Sequence, residues 1–126
     1  MITLQEALFA HHKLILRFGG TPGVRDIGLL KSALARISAT FDGVELYPEP
    51  IDKAAAILES IVVNHPFLDG NKRTGYVLAR MVLQSGGKDM VAETAEKYAM
   101  VLAVSEGLWA FSEIRTWLNE HQADRN

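Results

Sequence analysis

AAAILESIVVNHPFLDGNKRTGYVLARMVLQS, Ala54 to Ser85, reads as two apolar helices joined by a short polar loop, and that reading decides the fold. Ala54, Ile57, Leu58, Ile61, Val62 and His65 recur at the spacing that lines one face of a helix, with Asp52 placed to cap its start. Pro66 cannot continue the hydrogen-bond ladder and disfavours helical angles at the residue before it, so this helix ends at or near His65. From Asn71 to about Ser85 apolar residues lie nearly all round, Tyr76, Val77, Leu78, Ala79, Met81, Val82 and Leu83 among them. That pattern marks a central, buried helix, which Gly86-Gly87 stops.

Outward from this pair the chain remains helical. Thr3-Leu4-Gln5-Glu6 has the spacing of a capping box, and Leu4, Ala7, Leu8, His11, Ile15 and Phe18 form the inner stripe of a first helix over 3–18, closed by Gly19-Gly20. His11 is therefore an interior histidine, held by a hydrogen bond or seated beneath a site. The turn-rich run Gly19 to Arg25 follows, and Asp26 caps a second helix to about Thr40 with Ile27, Leu30, Leu34 and Ile37 inward. Arg25 is a solvated loop charge or an anion contact. Phe41 to Pro50 is an exposed loop with an extended piece at Val44 to Tyr47; it spans two helices, or it is a flap that holds a partner's segment. A fifth helix runs from Thr94 to about Glu106 with Tyr98, Ala99, Leu102 and Ala103 inward. Ser112 caps a sixth, packed through Ile114, Trp117 and Leu118, while Trp109 and Phe111 fill the core rather than stack on a nucleotide, and His121 to Asn126 fray. No strand alternation stands out. The expected fold is all-α: one domain over 1–126, a compact bundle of about six helices with the loop between the third and the central fourth.

The totals narrow the function. Thirteen basic against fifteen acidic residues give a net charge of −2, so no general field draws the chain to nucleic acid or an anionic membrane, and anion binding must be local. The absence of cysteine excludes disulfides and thiolate metal sites and suits the reducing cytosol. No apolar run reaches the ~20 residues of a membrane span. MITLQEALFAHHK lacks the positive start of a signal peptide, so a cytoplasmic protein is expected.

The loop HPFLDGNKRTG, His65 to Gly75, concentrates the chemistry. A helix start exposes unpaired amides at the positive end of the macrodipole, so Gly70, Asn71 and Lys72 at the head of a buried helix form an anion cradle. Arg73 adds a planar fork for phosphate oxygens and Lys72 a compact charge. Asp69, the one acid here, suits Mg²⁺ shared with phosphates. His65 is the group that takes up a proton near neutral pH, as a general base on an attacking hydroxyl must. Phe67 pins the loop and Gly75 permits close helix contact. Zinc is not favoured, since no second His or Cys stands at a helpful spacing, and the run is no Walker loop. Merely solvated charges at a capped helix start are the bland reading.

HPFLDGNKRTG on a helical chain of this size resembles the Fic/Doc family, especially the short Doc-type toxins, and HHKLILRFGGTPGVRD, His11 to Asp26, is similar to their first helix and loop. The resemblance implies His65 as catalytic base, Asp69 as Mg²⁺ ligand, and Gly70, Asn71, Lys72 and Arg73 as phosphate cradle. Adenylylating members usually carry glycine where Lys72 stands, whereas Doc-type kinases carry lysine there. Pro66 and Gly70 are more typical of the adenylylators. Lys72 fills space and so implies a nucleotide turned to present its γ-phosphate. The implied protein is a toxin that moves the γ-phosphate of ATP to a Ser or Thr of a translation factor, elongation factor Tu by resemblance, and is countered by a Phd-like antitoxin. The alternatives are protein adenylylation and a non-catalytic module that binds the antitoxin. Thr116 to His121 approaches the inhibitory pattern of other Fic proteins but ends in His.

Overall fold

The computed structural model describes residues 1–125. Its elements are α1 (Leu4–Phe18), α2 (Ile27–Arg36), β1 (Thr40–Phe41), β2 (Val44–Glu45), α3 (Pro50–Asn64), α4 (Asn71–Ser85), β3 (Lys88–Met90), α5 (Thr94–Ser105), α6 (Phe111–His121) and β4 (Gln122–Asp124). The helices carry the core, and the strands form two small antiparallel ribbons, β1 with β2 and β3 with β4. The expected all-α bundle is what the chain builds.

The most completely covered helix is α3 rather than α4. Every residue from Ile51 to Leu58 is buried, because the small side chains Ala54, Ala55 and Ala56 let neighbours approach α3 from several sides. Even Lys53 is buried, with its ammonium donating to Glu45 and to the Tyr47 carbonyl. Where α3 meets α4, a β-carbon on Gly75 would stand 2.8 Å from Val62 Cγ2. Alanine at a helix interior gains about 1 kcal/mol over glycine. Overpacking against a β-branched neighbour costs about 1–3 kcal/mol. Gly75→Ala should therefore destabilise the fold by about 1 kcal/mol net, seen as a lower urea midpoint with the slope unchanged; a raised midpoint would refute the close contact.

Local signals misplaced several boundaries. α3 begins at Pro50, whose fixed φ suits a first helical position, with Glu49 as cap; Asp52 answers from the third position by accepting the Glu49 N–H at 3.0 Å. α2 stops at Arg36, since tight turns at Ser38 and Ala39 lead into β1, and Ile27 is exposed. On α5 the buried residues are Met100, Val101 and Val104 while Tyr98 and Ala99 face outward, because a run that is apolar all round cannot select a face. α6 starts at Phe111, whose N–H donates to Glu59 of α3 at 2.8 Å, a partner far away in sequence. Trp109 and Phe111 are half-buried against the core. Gln122 to Asp124 do not fray: they pair with Lys88 to Met90. Asn126 lies outside the described residues.

Candidate active site

The site is built where α3 ends. Asn64 is its last helical residue, and the His65 N–H still donates to Ile61 at 3.2 Å. His65 then turns left-handed, φ 51° and ψ 60°, a conformation that side chains with a β-carbon resist. The loop beyond is woven to the α1–α2 connection. The Pro66 carbonyl accepts the Arg25 and Asp26 amides at 2.7 and 3.0 Å, Val24 bridges Phe67, and the Leu68 N–H donates to Gly23 at 3.1 Å. Phe67 is fully buried and stacks on the His11 ring at 3.9 Å and 8°. Asn71 closes the loop from the other side. Its Oδ1 accepts the Phe67 N–H and its Nδ2 donates to the Phe67 carbonyl, both at 3.0 Å. The Asn71 side chain is thus committed to shaping the loop, and what it offers an anion is its main-chain N–H.

Asp69 is exposed, yet its carboxylate is organised. Oδ2 accepts the Thr21 N–H at 3.0 Å and Oδ1 the Gly70 N–H at 2.8 Å. These amides, Thr21 first, hold the carboxyl below its usual range, with smaller contributions from His11 and Lys72, so it is anionic at neutral pH. A β-carbon at Gly20 would stand 2.8 Å from Oδ2, which is why Thr21 can approach only behind a glycine. Gly70 caps α4 in the left-handed region at φ 74° and would push a β-carbon to 3.3 Å from Ile15. No side chain caps this helix, so its first amides point free of a protein acceptor until the Thr74 N–H reaches Gly70 at 2.9 Å. Lys72 and Arg73 are exposed there, and among the described residues neither is in an ion pair; Arg73 lies 4.1 Å over the Phe18 ring.

Asp69 to Arg73 open into a cleft of about 580 Å³ between α1, α4 and α5, walled by Leu14, Phe18, Tyr76, Val77, Thr94, Lys97, Tyr98, Val101 and Leu102. His65 is exposed at the far end of the loop and does not line this cleft, nor does any residue of α6, so the Thr116 to His121 segment does not cover it. Among the described residues no three metal-ligating side chains cluster, so a cation held by protein groups alone does not fit. One anionic, oriented carboxylate beside two free cations fits a divalent ion that brings phosphate oxygens with it.

The sequence profile of the Fic/DOC family matches residues 1–83. The chain belongs to the Fic/DOC family. It is 47% identical over 78 residues to "Toxin Doc" of Mycolicibacterium smegmatis, covering 62% of this chain and 60% of that protein. It is 30% identical over 86 residues to "Protein kinase doc" of Escherichia phage P1, covering 68% of each. The likeness to the mycolicibacterial relative thus spans less than two thirds of that protein's length.

Within this Fic/Doc chain, the supports of the site come from α1 and the loop that follows it. His11 is the interior histidine expected, and it is also beneath the site: its Nε2–H donates to the Asp69 carbonyl at 2.9 Å. Thr21 and Gly20 orient the Asp69 carboxylate. Arg25 is exposed, as a solvated loop charge is, and its guanidinium is engaged: it donates to the Asn64 and His65 carbonyls, both at 2.6 Å. The available signal was the density of turn formers in GGTPGVRD, more than a simple reversal between helices requires.

Proposed function

We propose that this chain is a Doc-type toxin acting as a protein kinase, which moves the γ-phosphate of ATP to a Ser or Thr hydroxyl of a translation factor, elongation factor Tu in the first instance, and is countered by a Phd-like antitoxin. The observation that carries this reading is the uncapped first turn of α4, with Lys72 and Arg73 free beside the anionic Asp69 at one end of a cleft. Adjacent cations without an acid between them are stable partners for a phosphate chain. The names of the two relatives, a Doc toxin and a Doc protein kinase, support the toxin and kinase parts.

The residues divide the work. His65 accepts the proton of the acceptor hydroxyl as its oxygen bonds to the γ-phosphorus and the bond from that phosphorus to the bridging oxygen breaks, releasing ADP. The amides of Asn71 and Lys72, with the Lys72 ammonium, hold the charge that gathers on the departing oxygen, and the Arg73 fork grips two phosphate oxygens. Asp69 would hold Mg²⁺, which when bound neutralises phosphate charge. The Gly70 amide is already given to Asp69, so Gly70 serves by lacking a β-carbon. ATP and a translation factor place the reaction in the cytoplasm; no helix among the described residues is long and apolar enough to cross a membrane.

Adenylylation is the second reading, favoured by Gly70, whose left-handed conformation leaves the cradle open where a methyl would narrow it. The protein is incubated with bacterial extract and ATP labelled at either the α or the γ position. Label entering protein from γ alone is expected. Label from α would replace the kinase with the adenylyltransferase, and no label together with growth arrest would point to the non-catalytic module.

A further inference from the structure

We infer that Arg25 is the positioning residue that fixes the His65 side chain; this rests on the reading of His65 as general base. Asp42, in a hairpin turn, and His65 are the non-glycine residues with positive φ among those described. Asp42 sits beside Gly43, as such turns favour. His65 has no such excuse, and its left-handed backbone must be imposed by something outside its own segment.

Arg25 supplies it. The Asn64 carbonyl belongs to the peptide plane before the His65 α-carbon and the His65 carbonyl to the plane after it. Arg25 donates Nη2–H to the first and Nε–H to the second, each at 2.6 Å. The angle between those two planes is what φ and ψ describe, so one rigid guanidinium holding both oxygens sets both dihedrals of His65 and with them the direction of its Cα–Cβ bond. The charge also suits its place, since the last carbonyls of α3 lack helical partners and carry the negative end of the dipole. Arg25 is itself anchored by main chain: its own N–H and that of Asp26 bond the Pro66 carbonyl. The clamp thus reaches both sides of His65, while Arg25 is absent from the cleft that would take the nucleotide.

This separates positioning from nucleotide binding. Misplacing a reacting group by about 1 Å can lower a rate about 100-fold, so Arg25→Ala should reduce label transfer from ATP into extract protein by about 10- to 100-fold at saturating ATP. The ATP concentration at half-maximal rate should be unchanged. Arg25→Lys, able to reach one carbonyl but not to fork across two, should recover part of the rate, and millimolar guanidinium should partly rescue Arg25→Ala. The independent readout is the intraresidue amide-to-α-proton NOE of His65, strong when φ is positive; it should weaken in Arg25→Ala. The inference is overturned if that NOE keeps its wild-type strength, if the rate stays within about threefold of wild type, or if the lost rate merely follows the lost folded fraction in urea. Should wild type transfer label from α, the kinase reading fails and the rate arm is run with that label. Should it transfer none, the NOE alone decides whether Arg25 holds His65.

Discussion

His65→Ala should abolish growth arrest and lower label transfer by about 10²- to 10⁴-fold, the usual contribution of a positioned general base. The imidazole is exposed, and the bonds made by this residue are main-chain ones, its N–H to Ile61 and its carbonyl to Arg25. Alanine keeps both. Stability should therefore stay within about 0.5 kcal/mol of wild type, so a loss of transfer cannot be blamed on unfolding. His65→Gly sharpens the comparison. Glycine relieves the left-handed backbone, worth about 1 kcal/mol, so that variant should melt higher than His65→Ala while being equally inactive. Stability and activity then move in opposite directions at one position, which a scaffold role for the imidazole does not allow. A His65→Ala protein that is folded and transfers label within about threefold of wild type would remove the base from the mechanism.

How legible the site was depends on what each residue answers to. Pro66 and the stripe from Ala54 to Val62 are local rules, and they put the end of α3 within one residue of where the structure has it, with Asn64 last and His65 as its cap, and the start of α4 at Asn71. A buried Phe67 follows from one large apolar side chain in a polar loop. Gly75 could be read as a close contact because glycine has no other use inside a long helix. What could not be read is pairing across distance. Asp52 looked like a cap, but Pro50 began the helix first and Asp52 turned to Arg115 of α6 as well as to Glu49. β4 exists because Gln122 to Asp124 find Lys88 to Met90, a register with no sequence signature. Asn71 takes its place in the cradle through its main-chain N–H at the helix start, but nothing in the sequence showed that its side chain satisfies the Phe67 main chain inside the loop. The residue types of a site are visible in one segment; the groups that aim them come from another.

Asp69 shows that division most clearly, and substituting it should produce the second large effect. Asp69→Asn removes the charge and one of two acceptors: an amide oxygen can still take the Thr21 or the Gly70 N–H, but its nitrogen cannot take the other. If the carboxylate holds Mg²⁺ on the phosphates, transfer should fall by about 10²- to 10³-fold, the scale seen when one preorganised electrostatic contact is lost. Excess Mg²⁺ should restore part of it by mass action. A purely structural Asp69 predicts a different pattern, with folding weakened and the Mg²⁺ dependence unmoved. Without metal, in EDTA, the structural share can be read by itself. The folded carboxyl titrates below its unfolded value, so its contribution is complete above the unfolded range, near pH 4, and disappears as pH falls through the lower folded value. Wild type should therefore be the more stable protein at pH 7, and the gap to Asp69→Asn should close only in strong acid. A gap that widened on acidification would mean that the Thr21 and Gly70 amides do not stabilise the charged form. Equal Mg²⁺ dependence in the two proteins would mean that Asp69 orients the loop and that the metal is held elsewhere.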